Sequence, residues 1–169
     1  GVFLMSIVGD AYARPLLEEL EQGDHDLSSL YVLGTGGAAT NAHLKEALLE
    51  LVPHLTIMDG YGASETGGMA FGTNTRGNRP ESFDPAVGAT VVSGDRTRFL
   101  EPGDDAVGWI ARRGRVPLGY LGAPERTEAT FPIVDGERLA IPGDRGQRLA
   151  DGTIRMLGRD SMVVNTGGE

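Results

Sequence analysis

The stretch Asp59-Gly60-Tyr61-Gly62-Ala63-Ser64-Glu65-Thr66-Gly67 decides how the chain is read. It follows a short apolar run, Leu55 to Met58, that reads as a buried strand. It then gathers glycines, one aromatic ring, hydroxyls and a carboxylate into what reads as a single turn. Glycine lets a backbone bend sharply and approach a ligand closely. Tyr61 offers a flat face for a base or another planar group. Ser64 can donate to a phosphate oxygen, and Glu65 can hold a hard cation such as Mg2+. The bland alternative is an ordinary strand-end turn with a solvated glutamate. The stretch alone does not choose between them.

Working upstream, Leu44, Ala47, Leu48 and Leu51 recur at helical spacing, with Asn41 as N-cap and Pro53 as stop. Before that helix lies the glycine-rich loop Gly34-Thr35-Gly36-Gly37-Ala38-Ala39, which follows the strand Leu30 to Leu33. Further back, Leu16, Leu17 and Leu20 form the apolar face of another helix, with Pro15 in its first turn and Gly23 at its end. Val2 to Val8 reads as a buried strand. Strand-helix-strand-helix-strand is the pattern of a parallel sheet covered by helices.

Downstream the character changes. Gly72 to Pro85 is rich in Gly, Asn, Arg and Pro and reads as a linker. Short strands follow at Thr90–Val92, Arg98–Leu100, Gly108–Arg112, Arg138–Ile141, Gln147–Leu149 and Ile154–Leu157, with a short helix near Pro124–Thr130. Pro102-Gly103 marks a turn between two of the strands, and Asp151-Gly152 a hairpin. Such spacing suggests a small antiparallel barrel or sandwich. The expected organisation is an α/β portion at 1–75, a linker at 76–86, a β-rich, distorted-barrel subdomain at 87–158 and a hinge segment at 159–169.

Composition narrows the field. Gly is 26 of 169 residues, which predicts many tight turns. The formal net charge of −9 argues against a general binder of nucleic acid or anionic membrane. With no cysteine, disulfides, thiolate metal sites and a cysteine nucleophile are excluded. No apolar run reaches membrane-spanning length and no signal peptide is visible, which is consistent with the cytoplasm. The chain starts on Gly1 and ends on Thr166-Gly167-Gly168-Glu169, so both ends read as cut from a longer protein.

Several chemistries compete. Gly34 to Ala39 fits G-x-G-x-x-A between a strand and a helix, and Asp59 lies 20 positions beyond Ala39. That is the dinucleotide-binding spacing, with the acid on a ribose. Against it, a strand-helix unit precedes the loop and no third parallel unit follows Asp59. Gly62 to Gly67 misses the nucleophile-elbow pattern G-x-S-x-G by one place. The histidines, His25, His43 and His54, all precede Ser64, the wrong order for that triad, and read as surface residues. No histidine or carboxylate cluster has metal-ligand spacing. Asp144, in a Gly-flanked turn, could accept both hydroxyls of a ribose, and Arg159 could bind a phosphate or sugar. Each of these signals has an ordinary explanation, a turn aspartate and a surface ion pair. Their order along one chain is what carries weight.

That order resembles the adenylate-forming superfamily, which contains acyl-CoA synthetases, luciferases and peptide-synthetase adenylation domains. Tyr61-Gly62-Ala63-Ser64-Glu65 resembles its Y-G-x-[TS]-E motif. Val107 to Ala111 with Gly119-Tyr120 resembles its G-E-[LI]-x-[VI]…G-Y segment, and Gly143-Asp144 its T-G-D. Gly158-Arg159 with Asn165 to Glu169 resembles its G-R…G-G-E ending. Ile7 to Ala11, Arg14-Pro15 and Arg159-Asp160-Ser161 look most like actinobacterial fatty-acyl or steroid-acyl CoA synthetases.

The resemblance implies ATP, Mg2+ and CoA as cofactors and a small carboxylic acid as substrate. It implies that the backbone at Gly37 and Ala38 and the ring of Tyr61 line the adenine, with Gly62 also among the nucleotide-binding residues. Ser64 would contact the α-phosphate, Glu65 the Mg2+, Asp144 the ribose hydroxyls and Arg159 the ribose or phosphate. Ser161 would be the hinge, and Gly67, Gly68 and Met69 would lie near the acyl pocket. Trp109 stands where the family usually has Glu, Pro142 replaces Thr, and Ser161 replaces Asp or Lys. The family's P-loop and its C-terminal lysine match nothing in this sequence, so the piece alone is expected to be inactive. A dinucleotide module and a peptide-synthetase adenylation domain stay open as alternatives. Acyl chain length, the acceptor (CoA or carrier protein) and oligomeric state are not set by these residues.

Overall fold

The computed structural model describes residues 1–159. Ser161 and the Asn165 to Glu169 segment lie outside the described residues. The chain divides into two compact units, Gly1–Gly62 with Phe71–Glu81, and Ala63–Ala70 with the chain from Ser82 onward.

The first unit holds β1 (Leu4–Ile7), α1 (Asp10–Gln22), β2 (Val32–Gly36), α2 (Ala42–Leu51) and most of β3 (Thr56–Ala63). β2 pairs in parallel with both β1 and β3, as the alternating pattern predicts. The C-terminal half of β4 (Gly67–Asn74) also belongs here, and β4 is the next strand beside β3. A three-residue link cannot make the crossover that a parallel neighbour needs, so β3 and β4 form a hairpin. Leu33 and Ile57 on the sheet, Ala13 and Leu17 on α1, and Leu44, Leu48 and Leu49 on α2 bury one apolar cluster. Each such leucine or isoleucine side chain contributes roughly 1.5–3 kcal/mol relative to exposure. Leu51, expected on the buried face of α2, is 44% exposed, and Leu49 takes that place.

Three local readings change. α1 begins at Asp10, with the amides of Tyr12 and Ala13 on the Gly9 carbonyl. Pro15 therefore sits inside the helix, where its missing N–H leaves the Ala11 carbonyl without its helical donor. β2 runs on through Gly34-Thr35-Gly36, so the glycine loop is shorter than its composition implied. The stretch from Asp59 is likewise no single turn. Asp59 to Ala63 is extended, and only Ser64 to Thr66 turns. The strands stay paired because glycine, having no side chain, fits an extended ladder where a neighbour approaches closely.

The second unit holds β5 (Asp84–Pro85), β6 (Ala89–Val92), β7 (Gly108–Arg112), α3 (Pro124–Thr130), β8 (Ile133–Val134), β9 (Glu137–Arg138), β10 (Asp144–Arg148) and β11 (Ile154–Arg159). Four of these form an antiparallel sheet in the order β11-β10-β7-β6. The expected Asp151-Gly152 hairpin joins β10 to β11, with Gly152 at φ 85° and the Asp151 carboxylate accepting from the Thr153 amide. The sheet is open, not the distorted barrel expected from the spacing. Each edge is met by a single bridge, Val92 with Phe99 and Ile154 with Phe83, so the edges do not pair with one another. Arg98–Leu100 therefore forms no strand of its own. The expected strand Arg138–Ile141 is also split: β9 pairs with β8, and Ala140 bridges to Arg112. Val92, Ala111, Val134, Leu139 and Ile141 form a buried cluster in this unit.

Candidate functional site

In the first unit, the predicted adenine-side residues stand where β2 and β3 end. Thr35 is in register with Asp59, and Gly36 with Gly60. A Cβ on Gly36 would meet the Gly60 carbonyl oxygen at 3.0 Å, so a side chain at this crossing would need the neighbouring strand to give by a few tenths of an ångström. Gly37 adopts φ 75°, the left-handed region that glycine favours, and Gly37 and Ala38 are exposed. The loop is pinned beyond that point. The Asn41 amide donates to the Asp10 carboxylate at 2.7 Å, and the Asn41 side chain accepts from the His43 amide at 2.9 Å, capping α2. Gly9, at φ 62°, allows the close approach of Ala38, whose Cβ would lie 2.8 Å from a Cβ placed on Gly9. Tyr61 is half-buried and Gly62 exposed, both in the last part of β3.

Asp59 has a different task from the ribose contact of the dinucleotide reading. Its Oδ1 accepts from the Thr35 hydroxyl at 2.6 Å, and its Oδ2 from Lys45 Nζ at 2.5 Å and Asn74 Nδ2 at 2.8 Å. The carboxylate is committed inside the protein, and β3 leads into a hairpin, not into another helix. Both observations remove the dinucleotide alternative. The sequence reading missed Lys45 and Asn74. The available signal was a carboxylate at the end of an apolar strand, which needs a counter-charge when buried.

In the second unit, Ser64 is exposed at the turn, and the turn is closed by the Thr66 amide on the Ala63 carbonyl at 3.1 Å. Glu65 is partly buried, and its Oε1 accepts a 2.5 Å hydrogen bond from the Tyr120 hydroxyl. The Arg126 guanidinium stacks over the Tyr120 ring at 4.1 Å and lies 3.9 Å from the same oxygen. The Tyr120 hydrogen bond, helped by Arg126 and Arg159, holds the Glu65 carboxyl below its ordinary pKa. Glu65 is therefore an anion at neutral pH with one oxygen anchored.

Asp144 is 4% exposed, and Arg159 Nε donates to its Oδ1 at 2.8 Å across the β10–β11 register. Two residues singled out separately are thus partners. Gly67 and Gly68 are exposed, whereas Met69 is fully buried. The Gly68 carbonyl accepts from Arg112 and the Met69 carbonyl from the Ala86 amide, so this backbone is tied down. Trp109, the departure from the family's Glu, has the Arg145 guanidinium 3.6 Å from its ring centroid and that of Arg96 at 4.9 Å. An aromatic face thus meets two cations at the position of the usual carboxylate. Among the described residues no group of three or more His, Cys, Asp or Glu could hold a metal by itself.

The first unit is a parallel α/β sheet with a glycine turn after β2, and the second, with its antiparallel sheet, holds a glutamate anchored by a tyrosine. Residues 3–120 match the family described as AMP-binding enzyme, and the chain belongs to it. It is 44% identical over 169 residues to a medium-chain acyl-CoA ligase, Mig, of Mycobacterium avium, with 99% of this chain and 31% of that protein covered. It is 42% identical over 174 residues to the medium/long-chain-fatty-acid–CoA/3-oxocholest-4-en-26-oate–CoA ligase of Mycobacterium tuberculosis, with 99% of this chain and 31% of that protein covered. A 3-oxocholest-4-en-26-oate–CoA ligase of Rhodococcus rhodochrous is 40% identical, with 99% and 32% covered. The chain thus spans about a third of the length of these relatives. Among solved structures, the nonribosomal peptide synthetase FmoA3 in its α-methyl-L-serine-AMP-bound form superposes with a TM-score of 0.78 at 26% identity, covering 95% of this chain and 19% of that one.

Proposed function

We propose that this chain is the central-to-late part of an AMP-forming acid–thiol ligase acting on a fatty or steroid side-chain carboxylate. In that reaction a carboxylate oxygen attacks the α-phosphorus of ATP and pyrophosphate leaves, giving an acyl-adenylate. The sulfur of CoA then attacks the acyl carbon and AMP leaves, giving the thioester. The observation carrying this reading is the match of 99% of the chain, at 40–44% identity, to proteins named as CoA ligases. A peptide-synthetase adenylation activity is less favoured, because the synthetase structure is 26% identical.

In this reading Gly37, Ala38 and Tyr61 contact the base, Gly62 binds the nucleotide beside them, and Ser64 contacts the α-phosphate. Asp144 takes the ribose hydroxyls, with Arg159 beside it on the ribose or phosphate. Gly67, Gly68 and Met69 lie near the acyl pocket, and Ser161 matches the hinge position. Glu65 suits Mg2+ carried in by nucleotide phosphates, since Mg2+ is commonly held by one or two carboxylates, phosphates and water. When bound, that ion supplies charge neutralisation on the phosphates. ATP and CoA as substrates fit a cytoplasmic location. No helix among the described residues is long and apolar enough to cross a membrane.

The test is an ATP–pyrophosphate exchange and thioester assay on the full-length protein, with medium-chain, long-chain and steroid acids. Exchange that depends on one of these acids, followed by CoA-dependent AMP release, is expected. The 169-residue piece alone should give no exchange, since the family's P-loop and C-terminal lysine, which supply cationic help to phosphate chemistry, match nothing in it. Exchange driven by an amino acid, with none driven by a fatty or steroid acid, would overturn the assignment.

A further inference from the structure

One carboxylate in the first unit joins four elements. Asp59 on β3 accepts from Thr35 on β2, Lys45 on α2 and Asn74 on β4. Thr35 and Asn74 are buried, and the Lys45 and Asp59 side chains are only 13% and 15% exposed. The network lies beyond the apolar core residues Leu33 and Ile57, near the C-terminal end of the parallel β2–β3 ladder. That is the end of a parallel sheet where ligands are bound.

Both strands run from this network straight into glycine. After Thr35 come Gly36 and Gly37, and after Asp59 come Gly60, Tyr61 and Gly62. Glycine brings no side chain to fix its own backbone and loses the most conformational freedom when ordered. Gly36 and Gly60 are still ladder partners, and the Thr35–Asp59 pair just before them is the last in that ladder whose side chains can cross-link the strands.

We infer that Lys45 and Thr35 are positioning residues for nucleotide binding. By clamping Asp59, they fix the Gly36–Ala38 turn relative to the Gly60–Gly62 segment without touching the nucleotide themselves. The inference rests on the adenylate reading above. Lys45 does more than neutralise a charge. It ties α2 to the strand end that carries Tyr61, while Thr35 ties β2 to the same carboxylate. Removing Lys45 leaves a shielded carboxylate held only by neutral donors, and such a group relaxes toward water at the expense of local geometry.

The test uses Lys45→Met and Thr35→Val in the full-length protein, with AMP affinity measured by calorimetry well below each variant's thermal midpoint. KM for ATP and KM for the carboxylic acid are measured beside it. Thr35→Val removes one neutral hydrogen bond and keeps the side-chain shape, so it serves if Lys45→Met folds poorly. Positioning predicts AMP affinity and ATP KM worse by about tenfold in Lys45→Met, the loss expected for one charge-assisted hydrogen bond. The acid KM should move less than twofold, and combining the two variants should be less than additive. Folded variants that bind AMP within twofold of the wild type, with only the thermal midpoint lowered, overturn the inference and leave the ligase reading standing. A wild-type protein that does not bind AMP overturns both.

Discussion

Tyr120 and Glu65, 55 residues apart in sequence, meet through a 2.5 Å hydrogen bond from the phenol to the carboxylate. The bond stabilises the charged form of Glu65, so the folded-state pKa lies below the unfolded one. A depressed carboxyl pKa stabilises the fold fully above the unfolded value, and that contribution fades as pH falls through the folded value. Tyr120→Phe should therefore raise the Glu65 pKa and lower stability at neutral pH, with the gap to wild type closing in acid. Carbon-detected NMR titration of Glu65 and denaturant midpoints at neutral and acidic pH check this. A gap that stays constant down the pH scale would assign the loss to packing.

Asp144 and Arg159 make a pair in which the acid is nearly inaccessible and the base is half-exposed. Replacing Arg159 by Met keeps Asp144 in place but takes away a charge-assisted hydrogen bond, worth about 1.5–3 kcal/mol where shielded. Partial exposure of the arginine puts the cost at the low end of that range or below it. In the ligase reading the variant should lose AMP affinity by about tenfold. Calorimetric titration of AMP into the full-length variant gives the number directly.

Gly108 leads β7 where no side chain can fit. A Cβ there would lie 1.9 Å from the Val92 carbonyl oxygen and 2.9 Å from Leu100 Cδ1. Gly108→Ala should cost at least the roughly 1–3 kcal/mol typical of overpacking, because the first obstacle is backbone. A thermal or denaturant melt reads the loss. An unchanged midpoint would show that β6 and β7 can separate at that point without penalty.

Asn41 caps α2 and holds the glycine loop through its own amide. Asn41→Ala should destabilise the protein by about 1 kcal/mol, while Asn41→Ser should be nearly neutral because a hydroxyl can take over the cap. Chemical denaturation of the two variants side by side separates cap loss from a general surface effect.

The regions read well from the sequence share a feature: their signals are local. α2 follows from Asn41, a leucine spacing and Pro53, all within one short segment. The Asp151-Gly152 hairpin follows from two residues whose backbone preferences fix the turn. The parallel order of β1, β2 and β3 follows from alternation with helices. The failures are as regular. β2 and β3 both run further through glycine than composition implied, because ladder pairing between neighbours outweighs glycine's weak strand preference. The barrel expected from strand spacing is an open sheet, because its edge strands β6 and β11 each meet only an isolated bridge, Val92 with Phe99 and Ile154 with Phe83. Arg98–Leu100, expected as a strand, adds no more than that.

For the candidate site, the residues proposed for it can be picked out from the chain alone. Tyr61, Ser64, Glu65, Asp144 and Arg159 stand out in order because backbone freedom and functional-group chemistry are written residue by residue. The partnerships came with folding and with nothing less. Spacing offers Asp59 to a ribose only in the competing dinucleotide reading, and folding gives it to Thr35, Lys45 and Asn74. Glu65 was read as a solvated or metal-holding acid, and folding anchors it on Tyr120. A hydrogen bond across tens of residues depends on where strands and helices come to rest. That placement is set by the summed burial of the apolar core, which no single stretch of the chain encodes.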